Sequence, residues 1–166
     1  VAINISSEHF FKHTFVDEVV EYCKDFSIEA KQIELELLET HVMENSQIAS
    51  KKIEELNNLG FLVAIDDFGT GYSSLSYLKN FKVHKLKIDQ SFIRDSLEDN
   101  NDKAIVEAII KLANVFNLKV QAEGIETKEH EKLLLKLNCD FAQGYFYNKP
   151  IPLNSFLDDL GCKNGK

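Results

Sequence analysis

Apolar and polar positions follow two rhythms along this chain. Short runs such as Val1-Ala-Ile-Asn-Ile5, Phe61-Leu-Val-Ala-Ile65 and Lys85-Leu-Lys-Ile88 are separated by longer stretches whose apolar residues fall three and four apart. The first rhythm predicts strands near residues 1–6, 32–39, 61–66, 83–89, 119–124 and 141–147. The second predicts helices between them. Phe11, Phe15, Val19 and Cys23 make one stripe, and Ile105, Val106, Ile109, Ile110, Ala113 and Phe116 make another. Thr127, ahead of Lys-Glu-His-Glu-Lys, reads as an N-cap with acidic residues in the first turn. Gly60 stands where the C-terminal cap of a 44–59 helix belongs.

Tandem βα units imply a parallel sheet with right-handed crossovers. A barrel of eight such units takes about 250 residues, so a length of 166 favours an open, doubly wound sheet. The polar residues favour a barrel, because they stand at the carboxyl ends of many strands rather than at one switch point. Neither a G-x-G-x-x-G sequence nor a phosphate-loop motif is present, and no linker or low-complexity tract divides the chain.

With 44% hydrophobic residues and 12 Phe, the chain can fill the core of one globular domain. Its net charge of −8 leaves no general basic surface, which excludes a polymeric nucleic acid as partner; a phosphorylated ligand needs metal ions or a few placed cations. Cys23, Cys139 and Cys162 form no C-x-x-C pair and read as reduced, small apolar side chains in a cytoplasmic setting. No apolar run reaches the roughly 18 residues of a membrane span, and no leader opens the chain, so this segment implies no membrane contact. Val1 falls directly inside a strand-like run, which points to a piece of a longer polypeptide whose remainder could carry a membrane anchor.

The predicted strand ends expose Asn4 and Ser6, then Glu36 and Glu39, Asp66 and Asp67, Lys87 and Asp89, Glu123 and Glu126, and finally Gln143. Carboxylates converging from several strands cannot all stay ionised unless cations offset their repulsion. Oxygen ligands of this kind suit Mg²⁺ or Mn²⁺. Asp66 and Asp67 precede Phe68-Gly-Thr-Gly71, whose glycines permit a tight loop. Adjacent carboxylates at a strand end can serve two ions about 4 Å apart, the arrangement that clamps attacking and leaving oxygens in phosphoester hydrolysis. An acidic turn after a strand reads the same way in isolation; the other polar strand ends tell against it. Lys87, between Leu86 and Ile88, points opposite to them and needs a carboxylate partner or a task. Asn4 could close a turn, Glu123 could be a solvated strand end, and Gln143 could satisfy backbone groups. His9, His13, His41, His84 and His130 show no zinc-ligand spacing.

Taken in order, Asn4-Ile-Ser6, Leu35-Glu-Leu-Leu-Glu39, Asp66-Asp-Phe-Gly-Thr-Gly71, Lys87-Ile-Asp89, Ala122-Glu-Gly-Ile-Glu126 and Gln143-Gly-Tyr145 resemble the successive motifs of EAL domains, the bacterial cyclic di-GMP phosphodiesterases. The likeness runs from Val1 to Pro152. It implies a (β/α)₈ TIM-like barrel with one antiparallel strand, and hydrolysis of cyclic di-GMP to pGpG with Mg²⁺ or Mn²⁺. By resemblance, Asn4, Glu36 and Asp66 hold one metal, while Asp66, Asp67 and Glu123 hold or approach a second. Lys87 orients the attacking water or helps remove its proton, Gln143 bonds near the phosphate or its waters, and Glu39 braces the loop from Phe68 to Ser74.

Two departures stand out. Leu38 replaces the family's usual threonine between the two glutamates. The Glu-Ala-Leu motif itself, with its metal-binding glutamate and a nearby substrate-contacting arginine, is absent; Glu29-Ala30-Lys31 is no substitute. Residues 1–166 therefore read as the C-terminal two-thirds of one EAL domain, six βα units matching the third to eighth strands of a partial (β/α)₈ barrel, with the first two strands missing. The expectation is an isolated chain that is inactive or severely impaired. Self-association is expected through exposed strand edges or the region between Ser73 and Phe81, which resembles the family's dimer-forming part. The alternative is a non-catalytic cyclic di-GMP-binding or dimerisation module.

Overall fold

Every apolar run predicted as a strand enters one sheet. The computed structural model describes residues 1–71 and 75–159, with side chains described for 1–71 and 78–157. The strands are β1 (Ala2–Ile5), β2 (Glu34–Leu38), β3 (Leu62–Phe68), β4 (Lys85–Ile88), β5 (Lys119–Ala122) and β6 (Phe141–Ala142). They lie in the order β1-β2-β3-β4-β5-β6, and each neighbouring pair is parallel. Right-handed crossovers in a strictly consecutive order place all connecting helices on one face, the winding of a β/α barrel; a doubly wound sheet would reverse at a switch point. The fold is therefore a partial barrel, despite the short length. Among the described residues β1 and β6 are each paired on one side only, and the antiparallel strand implied by resemblance is not among the six.

The structure shortens β6, expected over 141–147, to two residues. A side chain at Gly144 would place its Cβ 2.2 Å from both the N and the O of Ile125, so here the chain presses backbone on backbone instead of continuing the ladder. The stripe from Phe11 to Cys23 is likewise broken: Phe11 follows the short helix Ser7–Phe10, and Phe15, Val19 and Cys23 lie in the helix Phe15–Asp25. The Lys52 ammonium spans that break, donating to the carbonyls of Phe10, at 2.8 Å, and Lys12. The expected 44–59 helix appears as Ser46–Asn58, preceded by a separate turn of helix at Glu39–Glu44.

Four helices end with the same device. After Asp25, Asn58, Val115 and Lys136, one residue intervenes and the next, Ser27, Gly60, Asn117 or Asn138, takes a positive φ of 53°, 92°, 57° or 57°. The residue after that returns an N–H to the helix: Ile28 to Cys23 O, Phe61 to Leu56 O, Leu118 to Ala113 O and Cys139 to Leu134 O, at 2.8 to 3.1 Å. This is the Schellman closure, which caps orphan carbonyls and turns the chain toward the next strand. At the other end of the Lys128–Lys136 helix, the predicted N-cap Thr127 accepts from His130 N.

One continuous core fills the space between helices and sheet, with Phe10, Phe15, Ile53, Leu56, Phe61, Ile65, Leu86, Ile88 and Ile110 fully buried. Ile105 lies at the margin of its predicted stripe and is partly exposed, whereas Val106, Ile109, Ile110 and Ala113 are buried. Cys23 and Cys139 are free, half-buried thiols, and burial pushes the Cys139 thiol up to about 11; Cys162 lies outside the described residues. No helix among the described residues is long and apolar enough to cross a membrane.

The helix ends yield a paired prediction. Ser27→Gly removes the cost of a left-handed conformation and should raise unfolding free energy by up to about 1 kcal/mol. Gly60→Ala, whose new Cβ would meet nothing closer than 3.7 Å, should lower it by about 1–2 kcal/mol through backbone strain alone. Urea unfolding of the two variants checks both signs.

Candidate metal and catalytic centre

Residues two apart on a strand share a face. In this sheet the pairs Glu34 and Glu36, Lys85 and Lys87, and Gln121 and Glu123 therefore build two polar layers on one side. The upper layer centres on Lys87, of which 3% is exposed. Its Nζ lies 2.7 Å from Glu36 Oε2, 3.0 Å from Asp66 Oδ1 and 2.7 Å from Glu123 Oε1. Each ammonium hydrogen thus has a carboxylate to donate to. Burial works to lower the lysine's pKa, but the bonds to Glu123, Glu36 and Asp66 outweigh it and hold the group above the ordinary lysine range. Glu123 is shifted up: burial raises it, Lys87 opposes, and the charges of Asp66 and Glu36 add to the rise.

Asp67 reaches the same site by an irregularity. Consecutive strand residues point to opposite faces, yet the β3–β4 register jumps between Ile65 and Phe68, leaving an extra residue on β3. Asp67 takes a φ of 52° there. This bulge re-aims its side chain, and Asp66, Asp67 and Glu123 each offer an oxygen within 4.8 Å of the others. Asp67 is pushed up to about 6 by burial first, then by the charges of Asp66 and Asp89, a hydrogen bond shared with Asp89, and Glu123. Asp89 is lowered: burial works against it, but Ser91 donates from both hydroxyl and backbone as Asp89 caps the Gln90–Asp95 helix.

Asn4 is exposed on β1. Its side-chain oxygen faces Glu36 Oε2 and Asp66 Oδ2 with no donor between them; turned over, the amide nitrogen would donate to both at 3.3 Å. Glu39, fully buried, accepts from Gly69 N at 2.8 Å, and a Cβ at Gly71 would stand 3.1 Å from its Oε1. Gln143 sits apart from the carboxylates, on the rim of a cleft of about 220 Å³ that it shares with Glu123 and Glu126. The structure therefore gathers Glu36, Asp66, Asp67, Lys87 and Glu123, sets Asn4 at one margin and Gln143 at the other, and puts Glu39 beneath the following loop.

Sequence reasoning missed the lower layer of Glu34, Lys85 and Gln121, and gave Asp89 no role. The signal was available, since each lower-layer residue stands two positions before a candidate on its strand.

The donor set is entirely oxygen, which suits a hard divalent cation. One ammonium, bonded to three carboxylates, stands in a cluster of four, and the surplus negative charge of the neighbours adds to burial in raising Asp67 and Glu123. A divalent ion among Asn4, Glu36, Asp66, Asp67 and Glu123 would offset that surplus, so the residues fit one.

A family model described as the EAL domain matches residues 1–150. The bifunctional diguanylate cyclase/cyclic di-GMP phosphodiesterase MucR of Pseudomonas aeruginosa is 38% identical over 157 residues, which are 95% of this chain and 23% of that protein. The solved PaMucR phosphodiesterase, a c-di-GMP complex, matches with a TM-score of 0.92 at 38% identity, over 94% of this chain and 63% of that one. Klebsiella pneumoniae BlrP1, solved as a manganese/cy-diGMP complex, matches with a TM-score of 0.82 at 29% identity, over 90% of this chain and 38% of that one. The chain spans about a fifth of the length of the curated relatives it matches.

The elevated Asp67 gives a pH prediction. A carboxyl whose folded pKa exceeds its unfolded value stabilises the fold below the unfolded value, and that contribution is lost as pH rises through the folded one. The window here runs from the ordinary 3.8 to about 6. In chelator-treated buffer, Asp67→Asn should melt above the parent chain at pH 7. The gap should close as pH falls toward 4, as thermal melts at several pH values would record.

Proposed function

The chain belongs to the EAL-domain family, and from that membership we propose that it supplies most of the site of a metal-dependent phosphodiesterase that hydrolyses cyclic di-GMP to pGpG. The observation that carries this is the convergence of Glu36, Asp66 and Glu123 on Lys87, with Asp67 brought alongside by the β3 bulge. Asn4, Glu36 and Asp66 would hold one Mg²⁺ or Mn²⁺, and Asp66, Asp67 and Glu123 a second. Such ions lower the pKa of water and stabilise charge on a transferring phosphate, which reconciles an acidic protein with an anionic substrate.

The chain's own groups do the positioning. Lys87 fixes the carboxylates of Glu36, Asp66 and Glu123, and its ammonium would orient the attacking water with a hydrogen released when one of those carboxylates turns to a metal ion. Gln143 donates to phosphate oxygens across the cleft it shares with Glu123. Glu39, by accepting from Gly69, holds the loop after Asp67 in place. The reaction belongs in the cytoplasm, where the free thiols Cys23 and Cys139 stay reduced.

We further propose that the 166 residues alone hydrolyse poorly, because the sheet is open between β1 and β6 and Asn4 is exposed at that margin. The edges of β1 and β6 that are unpaired among the described residues invite a second copy. The segment between Ser73 and Phe81 is another candidate contact. Residues 73 and 74 lie outside the described structure, residues 75–77 are described in backbone only, and Phe81 is buried. The exposed Asn4 margin also favours the second reading, a module that binds cyclic di-GMP without cleaving it.

Incubation with cyclic di-GMP and Mn²⁺ tests the reaction. A protein that carries this chain within a complete EAL domain should yield pGpG, and Asp66→Ala should cut that by more than the about 10–100-fold typical of residues that only support metal ligands. Product formation that survives Asp66→Ala would sink the mechanism, and binding without product would favour the module. Light scattering on the isolated chain should find particles larger than one chain; a monodisperse monomer would count against association through the edges.

A further inference from the structure

The lower polar layer carries an inference about Gln143 that rests on the phosphodiesterase reading for its ligand but not for its geometry. Lys85 Nζ stands 2.7 Å from Glu34 Oε1 and 3.2 Å from Gln121 Oε1, and 4.9 Å from the centre of the Phe141 ring. Gln121 Nε2 in turn donates to Gln143 Oε1 at 2.9 Å. Glu34 and Lys85 retain 12% and 14% side-chain exposure and Gln121 is buried, so water competes little for these three groups, whereas Gln143 at the end of the line is exposed.

A glutamine amide can present either end to a neighbour, and only an unambiguous partner decides which. Lysine is such a partner, because its ammonium only donates. The Gln121 atom facing Lys85 must therefore be the oxygen, which leaves the nitrogen facing Gln143. The Gln143 atom facing Gln121 must then be its oxygen, and its own Nε2 is turned outward. The backbone fixes where this side chain starts: Gln143 N donates to Ala122 O at 2.8 Å, Gln143 O accepts from Ile125 N at 3.0 Å, and Gly144 is wedged against Ile125, so the bond to Gln121 is what orients the amide.

We propose that Glu34, Lys85 and Gln121 are positioning residues that set the polarity of the Gln143 amide, so that it offers N–H donors rather than an oxygen to a phosphate oxygen of the ligand. Reversed, the amide would set its oxygen against an anion and forfeit a charge-assisted bond, a loss of about tenfold in affinity or more.

Gln121→Glu inverts the line with little change of shape. A carboxylate accepts from Lys85 on one oxygen and from Gln143 Nε2 on the other, which turns the Gln143 oxygen outward. Gln121→Leu removes the line without adding charge and leaves the amide unbiased. Side-chain NH₂ signals in ¹⁵N-edited NMR of the chain read the geometry without any activity. In the unaltered chain the Gln121 NH₂ should exchange slowly with solvent and the Gln143 NH₂ quickly; in Gln121→Glu the Gln143 NH₂ should become the slow one. Unchanged Gln143 exchange in folded Gln121→Glu overturns the proposal.

Calorimetry with cyclic di-GMP and Mn²⁺ should then rank affinity as unaltered, Gln121→Leu, Gln121→Glu, with about tenfold between the extremes. Lys85→Arg, which keeps the donors, should bind like the unaltered chain. Equal affinities despite the NMR inversion overturn the role toward the ligand. An unaltered chain that binds no cyclic di-GMP while the NMR inversion holds refutes the ligand assignment and upholds the polarity.

Discussion

The Lys87 ammonium is the constraint on which the site depends. It is buried at the centre of β4 and donates to carboxylates from β2, β3 and the end of β5. Removing one partner from such a buried network leaves uncompensated charge and costs roughly 3–5 kcal/mol. The strands cannot slip in register without breaking it, since a shift of one residue sends every side chain to the other face. The sheet that places the carboxylates is thus itself pinned by the charges it assembles.

The same surplus of negative charge explains the strain tolerated nearby. Asp67 is held in a left-handed conformation at a bulge, a state costing about 1–3 kcal/mol for a residue other than glycine. In return a second carboxylate from one strand end stands on the inner side with Asp66 and Glu123. Burial, with the neighbouring carboxylates adding to it, raises Asp67 and Glu123, and a cluster poorly satisfied by one lysine is receptive to a divalent cation.

Below this layer the chemistry changes from charge to hydrogen-bond direction. Lys85 is matched by Glu34 and passes its donor character through Gln121 to Gln143. The two layers share strands, so one alternating pattern serves both the acidic cluster and the opposite rim of the cleft. The loop after Asp67 is tied down separately, by buried Glu39 accepting from Gly69.

Much of this was legible in the amino-acid order, because strand periodicity and the motifs at strand ends are local. All six strands, the Thr127 cap, the Gly60 cap, the family resemblance and the candidates Glu36, Asp66, Lys87 and Glu123 could be read directly. Three of the four Schellman turns went unread: Asn117 and Asn138 are weaker signals of a positive φ than glycine, and Ser27 carries none. The end of β6 at Ala142 was hidden for a like reason: it is set by Ile125 pressing on Gly144, a contact between chain segments. Periodicity and length alone left barrel winding and an open doubly wound sheet both open until the family resemblance decided for the barrel; the sequence could name Asp67 as a site residue but could not show the bulge that turns it inward, or which end of the Gln143 amide faces Gln121. Those depend on strand order, on a bulge opposite β4 and on a lysine at the far end of a hydrogen-bonded line. Each is a relation among residues distant in the chain, and only the folded structure brings them within reach.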